Sequence, residues 1–237
     1  VNTPLDNPTN YFAAQGHVER ASDLAVRKDG MAEAIQMVKA ADTGIKGITS
    51  LIESAKGVAT AALATSDTNE RSTYSATFNT LLNQVSMMAS DSGYRGINLL
   101  TNGSQTVEFG QRTNASTLQI TGFNATAAGL TMQSAVATAW SASGNSAINS
   151  SSSELESALS FLRTKSSALS ANLSAVTTRQ DFTNSMINNL QTGADNLTLA
   201  DTNEEGANML MLQTRQNLGI TSLSMASQAA QAVLKLF

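Results

Sequence analysis

The sequence predicts a mainly α fold with a small β part, a bundle of long coiled-coil helices carrying one β-hairpin. Three observations lead there. The chain has 237 residues but only 2 Pro and 15 Gly, and both prolines, Pro4 and Pro8, precede the first periodic stretch. Apolar residues then recur at alternating three- and four-residue spacing through the first and last thirds of the chain, the signature of helices that pack along a seam. Between those thirds lie two short alternating runs, which have the period of strands. The chain divides accordingly into residues 1–100 as the N-terminal part of a helical core domain, 101–150 as a hairpin with a short variable outer region, 151–200 as the long C-terminal helix of the core, and 201–237 as a terminal helix.

The first helix is expected to start at Asn7-Pro8-Thr9, with Pro in the first turn and Thr9 accepting a bond from an unpaired backbone N–H. Its seam runs through Met31, Ile35, Val38, Ile45, Ile52, Ala55, Ala59 and Ala62, with Asp42 and Thr49 as polar interruptions. A helix from Thr9 to Thr65 would be about 85 Å long, which suits a rod better than a ball. Asp29-Gly30 is its weak point, because Gly costs about 1 kcal/mol relative to Ala and invites a bend or break. Asp67-Thr68-Asn69-Glu70 has the form of a capping box, with Asp67 as cap and Glu70 reaching back. Tyr74, Phe78, Leu81, Val85 and Met88 follow as the seam of a second helix, Met87 and Met88 being read as core filler. Gly93, free to take positive φ, is expected to end that helix.

In the middle, Thr106-Val107-Glu108-Phe109 and Thr117-Leu118-Gln119-Ile120 alternate and are joined by residues 110–116, which predicts the hairpin. Trp140 stands alone there and reads as a buried side chain. Residues 141–153 are rich in Ser, Asn and Gly, carry little apolar surface and read as an exposed link. Ser151-Ser152-Ser153-Glu154 resembles a second capping box, and behind it comes the clearest periodicity in the chain. Leu155, Leu159, Leu162, Ser166, Leu169, Leu173, Val176, Gln180, Thr183, Ile187, Leu190, Ala194 and Leu197 hold strict 4-3 spacing. The last helix follows Thr202-Asn203-Glu204-Glu205, with a seam of Met209, Leu212, Gln216, Gly219, Leu223, Ala226, Ala230, Val233 and Phe237. Small residues fill much of that seam, so alone the helix would bury too little to be stable and needs a partner helix.

Composition and motifs remove several classes of function. Charged residues are 14% of the chain and the net charge is -4, with no basic stripe, which gives little electrostatic basis for nucleic-acid binding. No apolar run approaches the length of a bilayer-spanning helix, and the first residues lack the basic and apolar regions of a secretory signal. The absence of Cys excludes disulfides, thiol catalysis and thiolate metal sites. His17 is the only histidine and reads as an exposed helical side chain rather than a catalytic base. HExxH, GxxxxGK[ST] and GxSxG are all missing, so enzymatic activity, a cofactor and a metal are not expected. Asp201 to Gly206 begins like an EF-hand loop, but Leu212 stands where a bidentate Glu is required, and helix capping is the better reading. Asn102, Asn114, Asn124, Asn149, Asn172 and Asn196 lie in N-x-[ST] triplets, which so Ser- and Thr-rich a chain forms by chance. One binding function stays open on composition alone, recognition of polysaccharide at a cell surface through the Asn/Gln/Ser/Thr-rich middle.

Several stretches, taken in order, resemble bacterial flagellin, the filament subunit, across essentially the whole chain. Asn10 to Leu63 is similar to that family's first long helix, including the Asp29-Gly30 step. Ser92-Gly93-Tyr94-Arg95-Gly96-Ile97-Asn98-Leu99-Leu100-Thr101-Asn102-Gly103 resembles the turn after its second helix, with Arg95 in place of the usual Asn. Leu199 to Glu205 resembles the acidic link into its last helix, and Ser227 to Phe237 its C-terminal end. The resemblance implies a core domain of the flagellin type, with two N-terminal helices and one long C-terminal helix, and a terminal helical domain lining a filament. It also implies that the chain starts where the family's core domain begins, without the extreme N-terminal helix, and that residues 122–150 form the outward variable part. The family stretch recognised by an innate immune receptor corresponds to Leu51 to Val58, which has no arginine.

The function so implied is a structural subunit that self-assembles through its helices into the flagellar filament for motility. Export would proceed through the flagellar channel without a cleaved signal, to an extracellular place on the flagellum. Implied partners are further copies of the chain, an export chaperone and the filament cap; nucleic acid and membrane insertion are not among them. A hook–filament junction protein shares the family's terminal helices and is the related alternative. The positions expected to hold core and assembly seams are Ile35, Val38, Ile45, Ile52, Leu155, Leu159, Leu162, Leu169, Leu173, Val176, Ile187, Leu190, Leu223 and Val233.

Overall fold

A computed structural model describes residues 1–110, 116–142 and 144–234, with side chains of the last helix through 231. The order of elements is α1 (Pro8–Ala64), α2 (Thr68–Asp91), β1 (Ser104–Glu108), β2 (Thr117–Thr121), α3 (Ala137–Ser141), α4 (Ser146–Thr198) and α5 (Thr202–Leu234). The chain is mainly helical with one small antiparallel sheet, as its periodicities require. It forms two units, residues 21–187 and residues 1–20 with 188–237, and both α1 and α4 contribute to each.

The larger unit holds one apolar core. From α1 come Met31, Val38, Ile45, Ile48 and Ile52, from α2 Phe78, Leu82 and Val85, and from α4 Leu155, Leu162, Leu169 and Val176, all buried. Gly30 neither breaks α1 nor needs its glycine, since the helix is continuous there and a Cβ would meet open space. Gly44 is the opposite case: a Cβ there would run into Ser92 and Leu100, so α1 can lie this close to the end of α2 only without a side chain.

The seams of α1 and α4 face each other, and their polar interruptions meet. Ser166 Oγ donates to Asp42 Oδ1 at 3.2 Å, and Lys46 Nζ lies 2.7 Å from the other carboxylate oxygen. Further along, Lys56 Nζ bonds Glu156 Oε1 at 2.6 Å. A polar pair inside an apolar seam penalises every register in which it would be unpaired, so Asp42 and Ser166 fix the alignment of these two helices.

Several local expectations are corrected. Asn7, not Thr9, caps α1, its Oδ1 accepting from Asn10 N at 3.1 Å. Asp67 does cap α2, accepting from Asn69 N at 2.7 Å and Glu70 N at 3.1 Å, but Glu70 accepts from the Thr65 hydroxyl instead of reaching back to the backbone of the cap. Gly93 does not end α2 with a positive φ. The last carbonyls of α2, Ala89 and Ser90, accept from Asn98 Nδ2 at 2.8 and 2.9 Å, and the left-handed residues are Arg95 (φ 48°) and Gly96 (φ 83°) in the turn beyond. The buried face of α2 is also rotated from the expected one. Arg71, Ser75, Phe78, Leu82, Val85 and Ala89 are buried, while Met87 and Met88 are exposed and are not core filler.

The expected link at 141–153 is largely helix. α4 starts at Ser146, Ile148 is fully buried, and Ser151 lies inside the helix with its hydroxyl on Ala147 O rather than capping a start. Glu154, the supposed partner in that box, accepts instead from Gln133 N at 2.8 Å. Phe123, Leu130, Met132 and Trp140 all join the core, the Trp140 ring standing 5.0 Å from that of Phe78, so much of 122–150 is packed. Asn79 holds this stretch to α2 by bonding both the N–H and the C=O of Ala135. Arg71, 7% exposed, ties the α1–α2 loop to the segment before α4 through Thr65 O, Ala142 O and Asn145 Oδ1. The strands pair antiparallel with Val107 opposite Leu118 and Gln105 opposite Ile120, burying Val107 and Ile120; most of the expected connecting loop, 111–115, lies outside the described residues.

Candidate assembly surface

Two kinds of apolar seam coexist in this chain. Of the expected positions, Val38, Ile45, Ile52, Leu155, Leu159, Leu162, Leu169, Val176 and Ile187 are buried, and Ile35, Leu173 and Leu190 are half-buried. These contacts are made within the chain. Leu223 is exposed, and the side chain of Val233 lies outside the described residues.

The helix that carries Leu223 differs from the rest. α5 starts with Asp201 as its cap, Oδ1 accepting from Asn203 N at 2.8 Å, so the cap is one residue earlier than Thr202. Glu204 and Glu205 sit in its first turn, where the helix dipole favours negative charge. Every described side chain from Leu199 through Gln231 is exposed. At 100° per residue, Met209, Leu212, Ile220 and Leu223 fall on one face. Met211, Leu218 and Met225, seven residues apart, fall on the opposite face. The sequence reading followed only the first face; the heptad repeat Met211-Leu218-Met225 is the signal that would have found the second. A helix apolar on two opposite sides is normally buried on both.

Elsewhere the chemistry is modest. Glu33 on α1 accepts from Arg95 Nη1 at 2.9 Å and from the Tyr94 hydroxyl at 3.1 Å. The Arg95 bond first, then that of Tyr94, holds the Glu33 carboxyl below the usual glutamate range, and the same cluster pushes the Tyr94 phenol up. Lys56 likewise holds the Glu156 carboxyl down. A groove of about 620 Å³ between α1 and α4 is lined by Ile45, Thr49, Leu162 and hydroxyls, with Lys46 and Arg163, and its lining contains no carboxylate. His17 is half-buried, not exposed, beside Gly193. Among the described residues, no group of three or more His, Asp or Glu is placed to hold a metal ion, and no helix is long and apolar enough to cross a membrane.

A packed helical core thus carries a long helix that offers apolar faces to solvent. Flagellin FljM of Caulobacter vibrioides is 24% identical over 238 residues, covering 100% of this chain and 86% of the relative. Flagellin FljK of the same organism is 26% identical over 245 residues with the same coverage, and flagellin B of Rhizobium meliloti is 33% identical over 94 residues, 40% of this chain and 24% of the relative. The crystal structure of Bacillus cereus flagellin superimposes with a TM-score of 0.54 at 14% identity, over 73% of this chain and 95% of that one. No family model matches the chain. Over its full length the chain is similar to flagellins, and it shares their fold.

Proposed function

We propose that this chain is a structural subunit of the bacterial flagellar filament, polymerising with copies of itself. The observation that carries the reading is α5, exposed along its whole described length with apolar residues on both sides, in a chain whose relatives over its full length are flagellins. Leaving such a helix in water forgoes roughly 1.5–3 kcal/mol for each large apolar side chain that could be buried. Contacts between copies that are head-to-tail and do not close build a helical filament, and this supplies the missing burial.

In this reading the seams of α1 and α4, from Ile35 to Ile52 and from Leu155 to Leu190, hold the subunit, and Leu223 and Val233 belong to the assembly helix. The work of the protein is mechanical rather than enzymatic. Its place is extracellular, on the flagellum, after export without a cleaved signal with the help of a chaperone and a filament cap. The relatives named above are all flagellins, which gives the junction-protein and polysaccharide-binding alternatives no added support. Full-length protein incubated with filament fragments and viewed by electron microscopy tests the reading: elongation of the seeds is the expected result, and unchanged seed lengths across a range of salt and protein concentration would overturn it.

A further inference from the structure

We propose that α5 carries a methionine oxidation site, and that oxidation of Met209, Met211 and Met225 by a hydroperoxide in the free subunit blocks its assembly. The proposal rests on the filament reading above and adds a chemical control to the same helix.

The nine methionines of the chain fall into distinct groups. Met31, Met37 and Met132 are buried in the core, and Met186 on α4 is half-buried. Met209, Met211 and Met225 are 64%, 52% and 59% exposed, so an oxidant in solution meets their sulfur atoms directly. Met87 and Met88 on α2 are also exposed but lie outside α5. The placement of the α5 group gives it consequence. Met209 lies with Leu212, Ile220 and Leu223, and Met211 and Met225 flank Leu218, so each apolar face of α5 contains thioether sulfur. Met suits an adaptable helix contact because it is flexible and polarisable, but its sulfoxide is polar and disrupts such a contact.

The chemistry needs only the peroxide. A lone pair on sulfur attacks one oxygen of hydrogen peroxide, an S–O bond forms as the O–O bond breaks, and the thioether is oxidised by two electrons. The departing hydroxide takes up the proton of the transferred oxygen and leaves as water. Burying the sulfoxide between helices would then remove a strongly solvated dipole from water without a partner placed to receive it.

The test uses full-length protein and hydrogen peroxide. Free subunits are oxidised in steps, each step is mapped by peptide mass spectrometry, and seeded elongation is measured on the same samples. Seeded elongation is expected to fall at least tenfold as the α5 methionines gain oxygen, and to return after treatment with methionine sulfoxide reductase. A variant carrying Met209→Leu, Met211→Leu and Met225→Leu, which keeps apolar side chains of similar size, should elongate normally after the same exposure. A second variant, Met87→Leu with Met88→Leu, should remain as sensitive as the natural chain. Full elongation by protein whose α5 methionines are all oxidised overturns the proposal, as does equal peroxide sensitivity in the α5 leucine variant. In assembled filaments the three α5 methionines should oxidise at least tenfold more slowly than in free subunits, and equal rates would also count against the site. Failure of untreated natural protein to elongate seeds is a different result, which removes the filament reading and this proposal with it.

Discussion

α4 and α5 are both long helices with heptad spacing, yet their fates in the subunit are opposite. Over Leu155 to Ile187 the seam of α4 is buried or half-buried throughout, whereas no described side chain of α5 is even half-buried. The difference is one of partners, not of helical character. α4 meets the seam of α1 within the same chain, and α5 has apolar faces without an intramolecular surface to receive them. Periodicity therefore reports that a helix will pack, and leaves open whether it packs within the subunit or between subunits.

Amide hydrogen exchange on the free subunit should reveal the widest separation. Amides in the middle of α4 should be protected to nearly the full unfolding free energy, while those of α5 should exchange close to the rate of an isolated helix. Comparable protection in both would break the contrast. Next in size is a pair of charge insertions. Leu169→Asp places an unpaired carboxylate in the core and should cost about 4 kcal/mol, a fall of roughly 10 °C in melting temperature. Leu223→Asp should leave the melting temperature of the free subunit unchanged and abolish seeded elongation. Calorimetry and electron microscopy on the two variants give the comparison directly.

Glycine substitutions should differ in sign. Gly44→Ala forces a methyl group into Ser92 and Leu100 and should destabilise by about 2 kcal/mol, despite the better helix propensity of Ala. Gly219→Ala meets nothing within 4 Å and should raise the helix content of α5, with a gain of up to about 1 kcal/mol visible by circular dichroism. The smallest effect concerns Glu33. Its carboxyl is held down in the folded chain by Arg95 and Tyr94, so its contribution is present above the ordinary glutamate range and is lost as pH falls through the lowered folded value. Glu33→Gln should accordingly flatten the acid limb of stability against pH by slightly lowering stability at neutral pH while leaving stability below the lowered range unchanged, as thermal unfolding at stepped pH would measure.

Much of this was legible in the sequence where one strong periodicity ran without competitors. The 4-3 spacing from Leu155 to Leu197 identified the inward face of α4, because side chains seven residues apart stay on one side of a helix whatever surrounds it. The hairpin was legible for a similar reason, since Val107 and Ile120 alternate with polar neighbours at the period of a pleat. Reading failed where two local patterns were equally good. On α2, the set Tyr74, Leu81 and Met88 and the set Ser75, Leu82 and Ala89 share Phe78 and Val85, and only the packing of α2 in the folded chain turns the second set inward. The start of α4 was missed because Ser151 and Glu154 spell a cap, while the burial of Ile148 that extends the helix backwards depends on residues distant in the chain.

By itself the sequence determined that long helices form, where their main apolar stripes lie, and that a hairpin interrupts them. These are local properties, set by spacing and by the chemistry of a few adjacent residues. The tertiary structure decided which stripe is satisfied within the chain, that Asp42 meets Ser166, that Arg71 closes the segment before α4, and that both faces of α5 remain in water. Those outcomes depend on which surfaces reach one another, and contact between residues more than a hundred positions apart is set by the packing of the whole core rather than by any stretch of it.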